Sequence, residues 1–346
     1  LPGALPSMNR RFALIQAIFS LVALAAVVWW ASKQDAPELP SGATAFAWLG
    51  GAVALYALAT ILRGERWHRI LHLTGVRASR TDSYALTTVG YMGNNVLPAR
   101  AGEMLRVVLL SKRSDAGKRE LLGTVVGERA LDALALGVIL VVVVFAILRD
   151  ATLPSQQPLV VAGVGLVVLA AGLGALQLMR KRGMLTRFRD WVRPLADAPR
   201  ALLGRYGVVL LVGSFLIWAT EASVYLAVAN ATSLDVSFMG ALYLVALTNL
   251  FAMLPAAPGY VGTFDAAVVY GVHAIGGSKS AALSYLILLR FILFVPITVV
   301  GLIVLVTRYG GWSRLRSAIR IESREPAPRP REPTPREPAA AREPAI

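Results

Sequence analysis

Amide and charged side chains interrupt the apolar part of this chain in one stretch, GYMGNNVLPARAGEMLR at positions 90–106. Asn94 and Asn95 carry amides, and Pro98 lacks a backbone donor and breaks a helix. Three ionisable residues share one face of the helix that begins after the proline: Arg100, Glu103 and Arg106. Broken backbone at membrane depth persists only inside protein or beside a wet cavity, so this stretch is predicted to build a polar site.

The pattern recurs in the second half of the chain. Leu-Pro-Ala at 97–99 returns at 254–256, and a glycine and an acid follow each copy. The helix-breaking residues of the two copies are Pro98 and Gly102, and Pro255, Pro258, Gly259 and Gly262. Broken segments at matching positions of two halves are typical of transporter sites built from inverted repeats.

Further ionisable residues lie inside apolar segments: Glu128, Arg129, Asp132, Glu221, Asp265 and Arg290. A charge at the bilayer centre costs at least ~2.5–3.5 kcal/mol, so a functional role is favoured for the cluster as a whole. Arg129 with Asp132, and Arg100 with Glu103, have the spacing of helical ion pairs. For any single residue, a structural ion-pair network is an equal alternative.

Arginine is suited to phosphate because its planar fork binds two oxygens at once. Arg100, Arg129 and Arg290 are predicted to be the deepest cations, and helices that start after Pro98 and Pro258 would add free N–H groups. These features favour an anionic headgroup such as a lipid phosphate. Glu221 is alone in its segment and is expected to pair with an arginine, bind a cationic group or take up a proton.

Composition indicates a polytopic helical membrane protein. The chain has 346 residues, of which 56% are hydrophobic and 16% charged, and a mean hydropathy of +0.61. It has no cysteine, which excludes disulfides and thiol chemistry. No metal pattern or cofactor motif is found. The net charge of +15 lies in loops beside apolar runs, where it indicates topology and lipid contact rather than nucleic acid.

The predicted fold is all-α, with six full transmembrane helices and two opposed re-entrant hairpins, or eight or more helices. The spans are expected at 12–31, 43–62, 121–148, 159–179, 206–229 and 281–307, and the hairpins at 84–110 and 238–275. Amphipathic interface helices are predicted at 63–80 and within 180–205. Residues 1–11 form a short tail, and 308–346 a basic, then disordered, Arg-Glu-Pro-rich tail. Lys and Arg concentrate in alternate loops, which places both termini in the cytoplasm and the hairpins on opposite faces.

Four segments resemble signature segments of the lysylphosphatidylglycerol synthase transmembrane-region family, also called flippase-like: GNNVLPARAGEMLR, GERALDALAL, LPAAPGYVGTFDAAV and LLRFILFVPITVVG. The resemblance spans roughly 12–307. The family's pattern falls on Asn94, Pro98, Arg100, Gly102, Glu103, Arg129, Asp132, Pro258, Gly259, Gly262 and Arg290, and Asp265 stands where many members have glutamate.

The resemblance implies a lipid flippase or transporter of the bacterial inner membrane. Its expected partners are membrane lipids, with a second copy or a lipid-biosynthesis enzyme as further candidates. Arg100, Arg129 and Arg290 would hold phosphate, while Glu103, Asp132, Glu221 and Asp265 would balance charge or relay protons. No catalytic domain is recognised, so an enzyme is not expected. A membrane-embedded transferase acting on a lipid-linked substrate and a scaffold subunit without transport activity are the alternatives.

Overall fold

The computed structural model describes residue 29 and the ranges 40–97, 100–149, 204–252 and 258–310 of the chain. All regular elements in these ranges are helical. They are α1 (Ala43–Leu73), α2 (Arg80–Val96), α3 (Ala101–Ser111), α4 (Lys118–Arg149), α5 (Arg205–Ala231), α6 (Phe238–Ala252), a 3-10 turn (Pro258–Tyr260), α7 (Thr263–Ala274) and α8 (Lys279–Tyr309). The all-α prediction therefore holds for the part of the chain that is described.

Three of these helices are long and apolar enough to cross a membrane: α1, α5 and the segment Ser280–Tyr309 of α8. The span expected at 159–179 lies outside the described residues, as do Pro98 and Pro255. Only residue 29 of the span at 12–31, residues 204–205 of the segment 180–205 and residues 308–310 of the tail are described. The structure thus supports a multi-pass helical protein, while the predicted number of spans stays a prediction.

The interface helix expected at 63–80 is not present as such. Helix α1 instead runs unbroken from Ala43 to Leu73. Trp67, Ile70 and Leu71 are fully buried in the last turns of α1. The buried face of this helix therefore continues beyond the predicted apolar span 43–62. Arg63 and Arg66, expected at the interface, therefore lie inside the bundle.

Helices α2 and α3 form a tight hairpin around glycines. A Cβ atom at Gly102 would overlap the carbonyl oxygen of Gly90 and come within 2.5 Å of the backbone nitrogen of Asn94. A side chain at Gly93 would come within 2.6 Å of the Gly102 Cα. The absence of side chains at these positions therefore sets the distance between the two arms.

Helices α6 and α7 form the second hairpin. Gly271 of α7 faces Leu244 and Leu247 of α6. The first turn of α7 is closed by its own acid, because the Gly262 N–H donates to Asp265 Oδ2 at 2.8 Å. One N–H at the start of α7 is thus bonded to a carboxylate of the same helix, and the expectation that the N–H groups there bind an anion stays a prediction.

The long helix α8 contacts both hairpins and orders them along its axis. At its C-terminal end, Arg308 donates to Asp82 at the base of the first hairpin, 3.1 Å away. Near its middle, Asn95 at the tip of that hairpin donates to Thr298 Oγ1 at 2.9 Å. At its N-terminal end, α8 follows the base of the second hairpin after a four-residue turn, 275–278. The hairpins therefore lie tip to tip, with their bases at opposite ends of α8.

Candidate functional site

A polar cleft lies where the two hairpin tips meet. It encloses about 660 Å³, including its open mouth. Helices α1, α2, α4, α5, α6, α7 and α8 and both tips contribute to its walls. Its charged and amide residues are Arg63, Asn94, Asn95, Arg100, Arg129, Glu221 and Asn249, and its aromatic residues include Tyr56, Tyr91, Trp218, Tyr225, Tyr260, Phe264 and Phe294.

The two tips contact each other directly at the cleft. The guanidinium of Arg100 lies 5.6 Å from the centre of the Tyr260 ring. Both residues have left-handed backbone, with φ of 55° each. Left-handed backbone is strained for residues with a side chain, and such strain concentrates at functional sites.

One ion pair crosses the cleft wall between α1 and α5. Arg63 donates to the Glu221 carboxylate, and both residues are buried. The Arg63 guanidinium also stands 5.5 Å from the Tyr91 ring centre and 5.4 Å from that of Trp218. The two aromatic rings hold the cation in place by cation–π attraction. Glu221 therefore pairs with an arginine, the first of its three expected roles.

A buried charge network lies behind this wall. Glu128, which is completely buried, pairs with Arg106 at 2.6 Å and with Arg66 at 3.2 Å. Arg66 also pairs with Asp132 at 2.6 Å and donates to Ser214 Oγ at 2.8 Å. Buried charges are tolerated when each has close partners of opposite sign. These residues fit the structural interpretation, because none of the four ionisable ones lines the cleft.

Arg129 joins the buried network to the cleft. It lies 3.2 Å from both Asp132 and Glu103 and 3.7 Å from Glu128. Glu103 in turn lies 3.8 Å from Arg100. The two ion pairs predicted from spacing, Arg129–Asp132 and Arg100–Glu103, are thus confirmed. The side chains of Arg129 and Arg100 are 30% and 36% exposed, so they present their charge to the cleft.

Several cleft residues have buried polar atoms without a hydrogen-bond partner in the protein. Three of these atoms are N–H donors, Arg100 Nε, Arg129 Nε and Trp218 Nε1, and one is an acceptor, Asn94 Oδ1. The two arginine nitrogens lie 3.8 Å and 3.2 Å from Glu103 Oε1 without forming a hydrogen bond to it. Buried polar groups are normally hydrogen-bonded, and leaving one unpaired costs about 1–3 kcal/mol. Three guanidinium groups and one carboxylate give the described lining a net positive charge. The arrangement is suited to an anion that accepts hydrogen bonds.

Asp265 and Arg290 form a separate pair beside the cleft. Arg290 donates to the Asp265 carboxylate and to the Gly259 carbonyl oxygen at 3.2 Å. Its guanidinium lies near the rings of Phe264 and Phe294, which do line the cleft. The pair therefore fixes the second hairpin tip to α8. Arg290 does not share the cleft with the other two arginines predicted to hold phosphate.

Sequence reasoning missed Arg63 and Arg66. The side chains of both, and of Arg106, are 3–4% exposed, and they are more buried than the three arginines predicted to be deepest. A usable signal was present, since apolar residues continue at helical spacing through 67, 70 and 71. Among the described residues there is no group of three His, Asp or Glu that could hold a metal ion.

One family model matches most of the chain. The model described as "Lysylphosphatidylglycerol synthase TM region" matches residues 17–301. A "UPF0104 membrane protein" of Methanothermobacter thermautotrophicus is 23% identical over 282 residues, covering 72% of this chain and 82% of that relative. "Glycosyltransferase AglD" of Haloferax volcanii is 22% identical over 344 residues, covering 86% of this chain and 54% of that relative. This chain therefore spans about half the length of the second relative. No solved structure matches.

Proposed function

The chain belongs to the lysylphosphatidylglycerol synthase transmembrane-region family, and we propose that it moves a lipid with an anionic headgroup between the two leaflets of a bacterial inner membrane. The headgroup occupies the polar cleft at the hairpin tips, and the acyl chains stay in the bilayer. The two hairpins are re-entrant and enter the membrane from opposite faces, with both chain termini in the cytoplasm.

The cleft itself carries the proposal. Arg63, Arg100 and Arg129 line it from three different elements, and the side chains of Arg100 and Arg129 are 36% and 30% exposed. Guanidinium groups bind phosphate oxygens with charge-assisted hydrogen bonds. The rings of Tyr91 and Trp218 and the amide of Asn249 line the same space, where they would contact the polar atoms beyond the phosphate.

The short hairpin arms support the re-entrant arrangement. Helix α3 has 11 residues and α7 has 12, which gives about 17–18 Å at 1.5 Å per residue. A hydrocarbon core is about 30 Å thick. Short arms that meet near the middle of α8 support a cleft close to the membrane midplane, where broken helices form the sites of many transporters.

A leaflet-resolved assay tests the proposal. Purified protein is reconstituted into vesicles that contain fluorescent, acyl-labelled phosphatidylglycerol, and dithionite bleaches the outer-leaflet label. We expect bleaching to exceed the outer-leaflet half, because label from the inner leaflet reaches the outside. Arg100→Gln should slow this movement at least several-fold, because it removes a cation that lines the cleft.

Arg77→Gln is the control for charge, because Arg77 is exposed and does not line the cleft. It should move lipid at the rate of the unaltered protein. Bleaching that stops at the outer-leaflet half with the unaltered protein would contradict transport of this lipid. Equal rates for Arg100→Gln and the unaltered protein would contradict the assignment of the site.

A transferase acting on a lipid-linked substrate is the second candidate, supported by the glycosyltransferase name of the Haloferax relative. That name describes a protein about twice the length that this chain spans. The same vesicles distinguish the two functions: a transferase changes the mass of the lipid in the presence of a sugar donor, and a flippase changes its leaflet alone.

A further inference from the structure

The two buried glutamates of the site have different numbers of counter-charges. Glu128 lies within 4 Å of three arginines: Arg66, Arg106 and Arg129. Among the described residues, Arg63 is the one cation within 4 Å of Glu221. If one arginine moves away, Glu128 keeps two partners, while Glu221 keeps none. Glu221 is thus the carboxylate whose charge depends on a single contact.

The groups around Glu221 offer no second cation at contact distance. From its own helix α5 it is faced by Tyr225, from α1 by Arg63 and Tyr56, and from α2 by the cation–π partner of Arg63, Tyr91. Helix α6 contributes Thr248, whose hydroxyl is already bonded to Tyr225 at 2.9 Å. The remaining charges of the cleft lining are Arg100 and Arg129. Neither of these arginines lies within 4 Å of Glu221 among the described contacts.

Arg63 belongs both to the ion pair with Glu221 and to the cleft lining. Its guanidinium is about equally far from the rings of Tyr91 and Trp218, and it lines the same cleft as Arg100 and Arg129. A phosphate that enters beside Arg100 and Arg129 competes with Glu221 for the guanidinium. Phosphate and carboxylate bind the same planar fork, so one can replace the other.

We propose that binding of the anionic headgroup releases Glu221 from Arg63 and that Glu221 then takes up a proton. This inference rests on the proposed function. A buried carboxylate without a counter-charge is unfavourable, and protonation removes the charge. A proton from solution bonds to a carboxylate oxygen of Glu221 as the phosphate binds. It leaves when the headgroup departs and Arg63 returns.

The proposal makes lipid movement proton-coupled and electrically neutral. A phosphodiester headgroup carries one negative charge, and the proton on Glu221 carries one positive charge. Because headgroup and proton are bound together, each raises the affinity for the other. A pH gradient should therefore drive the lipid, whereas a membrane potential should not.

Proton uptake on binding tests the coupling directly. The purified full chain in weakly buffered detergent with a pH-indicator dye is titrated with dihexanoyl-phosphatidylglycerol, whose phosphodiester does not titrate near neutral pH. We expect uptake of about one proton per bound lipid. Glu221→Gln should bind the lipid without proton uptake. Asp235→Asn, at an exposed acid outside the cleft, should take up protons like the unaltered protein.

Each result decides a different statement. Lipid binding without proton uptake by the unaltered protein would overturn the coupling and leave the proposed function standing. Proton uptake that persists in Glu221→Gln would overturn the assignment to Glu221. Absence of lipid binding by the unaltered protein would overturn both.

A second measurement needs no variant. In vesicles with the unaltered protein, an imposed pH gradient should shift labelled phosphatidylglycerol toward one leaflet, and a potassium diffusion potential at equal pH should not. A distribution that ignores the pH gradient, or follows the potential, would overturn the proposal.

Discussion

At the scale of single residues, Arg100 combines an unfavourable backbone with an exposed charge. Its φ of 55° is left-handed, which costs a residue with a side chain roughly 1–2 kcal/mol. Its one ion-pair partner among the described residues, Glu103, is 3.8 Å away and contributes little. Its cation–π contact with the Tyr260 ring is worth about 0.5–1 kcal/mol at an exposed site, which does not exceed the backbone cost. The local contacts of Arg100 thus give a poor account of why an arginine stands there, and a role in binding gives a better one.

Arg100→Gly is therefore expected to separate stability from binding. Glycine adopts positive φ without strain, which offsets the loss of the Arg100–Tyr260 contact, so the free energy of unfolding should change by less than about 1 kcal/mol. Binding of dihexanoyl-phosphatidylglycerol should weaken about tenfold, as expected for one lost charge-assisted hydrogen bond of about 1.5 kcal/mol. Thermal unfolding in detergent and lipid titration measure the two effects.

Ser233→Gly is the matched control, because Ser233 has a φ of 54° and lies outside the cleft. It should relieve the same backbone strain, so its free energy of unfolding should stay equal or rise by about 1 kcal/mol, and it should bind the lipid normally. Unchanged binding by Arg100→Gly would count against the role of this arginine.

Glu128 is expected to serve stability. It is completely buried between three arginines, and removing one partner of a buried pair costs about 3–5 kcal/mol. Glu128→Gln should therefore lower the unfolding temperature in detergent strongly. Glu65→Gln is the control, because the arginine partners of Glu65 are 55% and 69% exposed, and the loss there should stay below about 1 kcal/mol. Similar losses of stability in Glu128→Gln and Glu65→Gln would contradict the structural role assigned to Glu128.

Spacing along one helix was enough to predict the pairs Arg129–Asp132 and Arg100–Glu103, because such pairs depend on local geometry. The pairs Arg63–Glu221 and Arg66–Asp132 join residues 158 and 66 positions apart. They depend on which helices pack together, and one sequence contains no direct record of that. Arginines after an apolar run are typical of a membrane interface, so the general rule led to the wrong interpretation of Arg63 and Arg66.

At the scale of elements, the first hairpin depends on contacts that leave no room for a methyl group. A Cβ at Gly102 would overlap a backbone carbonyl and lie 2.7 Å from Asn94 Oδ1. Because backbone atoms cannot rotate away, α2 and α3 would have to separate. The separation would displace both Asn94 and the tip that carries Arg100, so this element couples packing to the cleft.

Gly102→Ala is accordingly expected to reduce lipid binding and to cost about 1–3 kcal/mol of stability, the usual range for overpacking. Gly137→Ala provides the control: it lies inside α4, and a Cβ there meets nothing within 4 Å. Its stability should be equal or slightly higher, since alanine favours helix over glycine. Thermal unfolding and lipid titration compare the two, and a neutral Gly102→Ala would refute the close packing.

The ends of the hairpin arms were largely predictable, because prolines, glycines and apolar runs act locally. The structure begins α3 at Ala101 and α6 at Phe238, as expected. The repeated motif predicted that the two broken segments belong to one site, and in the structure the two tips meet. Two contacts hold the tips there. Asn95 of the first tip donates to Thr298 of α8, and Gly259 of the second tip lies against the carbonyl oxygen of Asn95. Those contacts join three distant segments and could not be read from any one of them.

At the scale of the whole molecule, α8 defines an axis. Its 31 residues span about 46 Å, which exceeds the hydrocarbon thickness of a bilayer. Asp82 at the base of the first hairpin contacts Arg308 and Tyr309 at one end of α8. The second hairpin leads into Lys279 at the other end. The uneven distribution of Lys and Arg among the loops also predicts that the two hairpin bases lie on opposite sides of the membrane.

If the hairpins enter from opposite faces, the turns at their bases should lie on opposite sides of the membrane. Asp115 lies in the turn between α3 and α4, at the base of the first hairpin, and Asp235 precedes α6, at the base of the second. Both residues are exposed, and the chain has no cysteine of its own, so Asp115→Cys and Asp235→Cys each introduce a single thiol. In inside-out and right-side-out vesicles, an impermeant maleimide should label one variant in each orientation.

The basic turn around Asp115 is expected on the cytoplasmic side, because Lys112, Arg113, Lys118 and Arg119 surround it. Label on Asp115→Cys should therefore appear in inside-out vesicles, and label on Asp235→Cys in right-side-out vesicles. Labelling of both from the same side would place the two hairpins on one face. The tips could then not meet along α8 while α8 crosses the membrane, so the cleft at the midplane depends on this result.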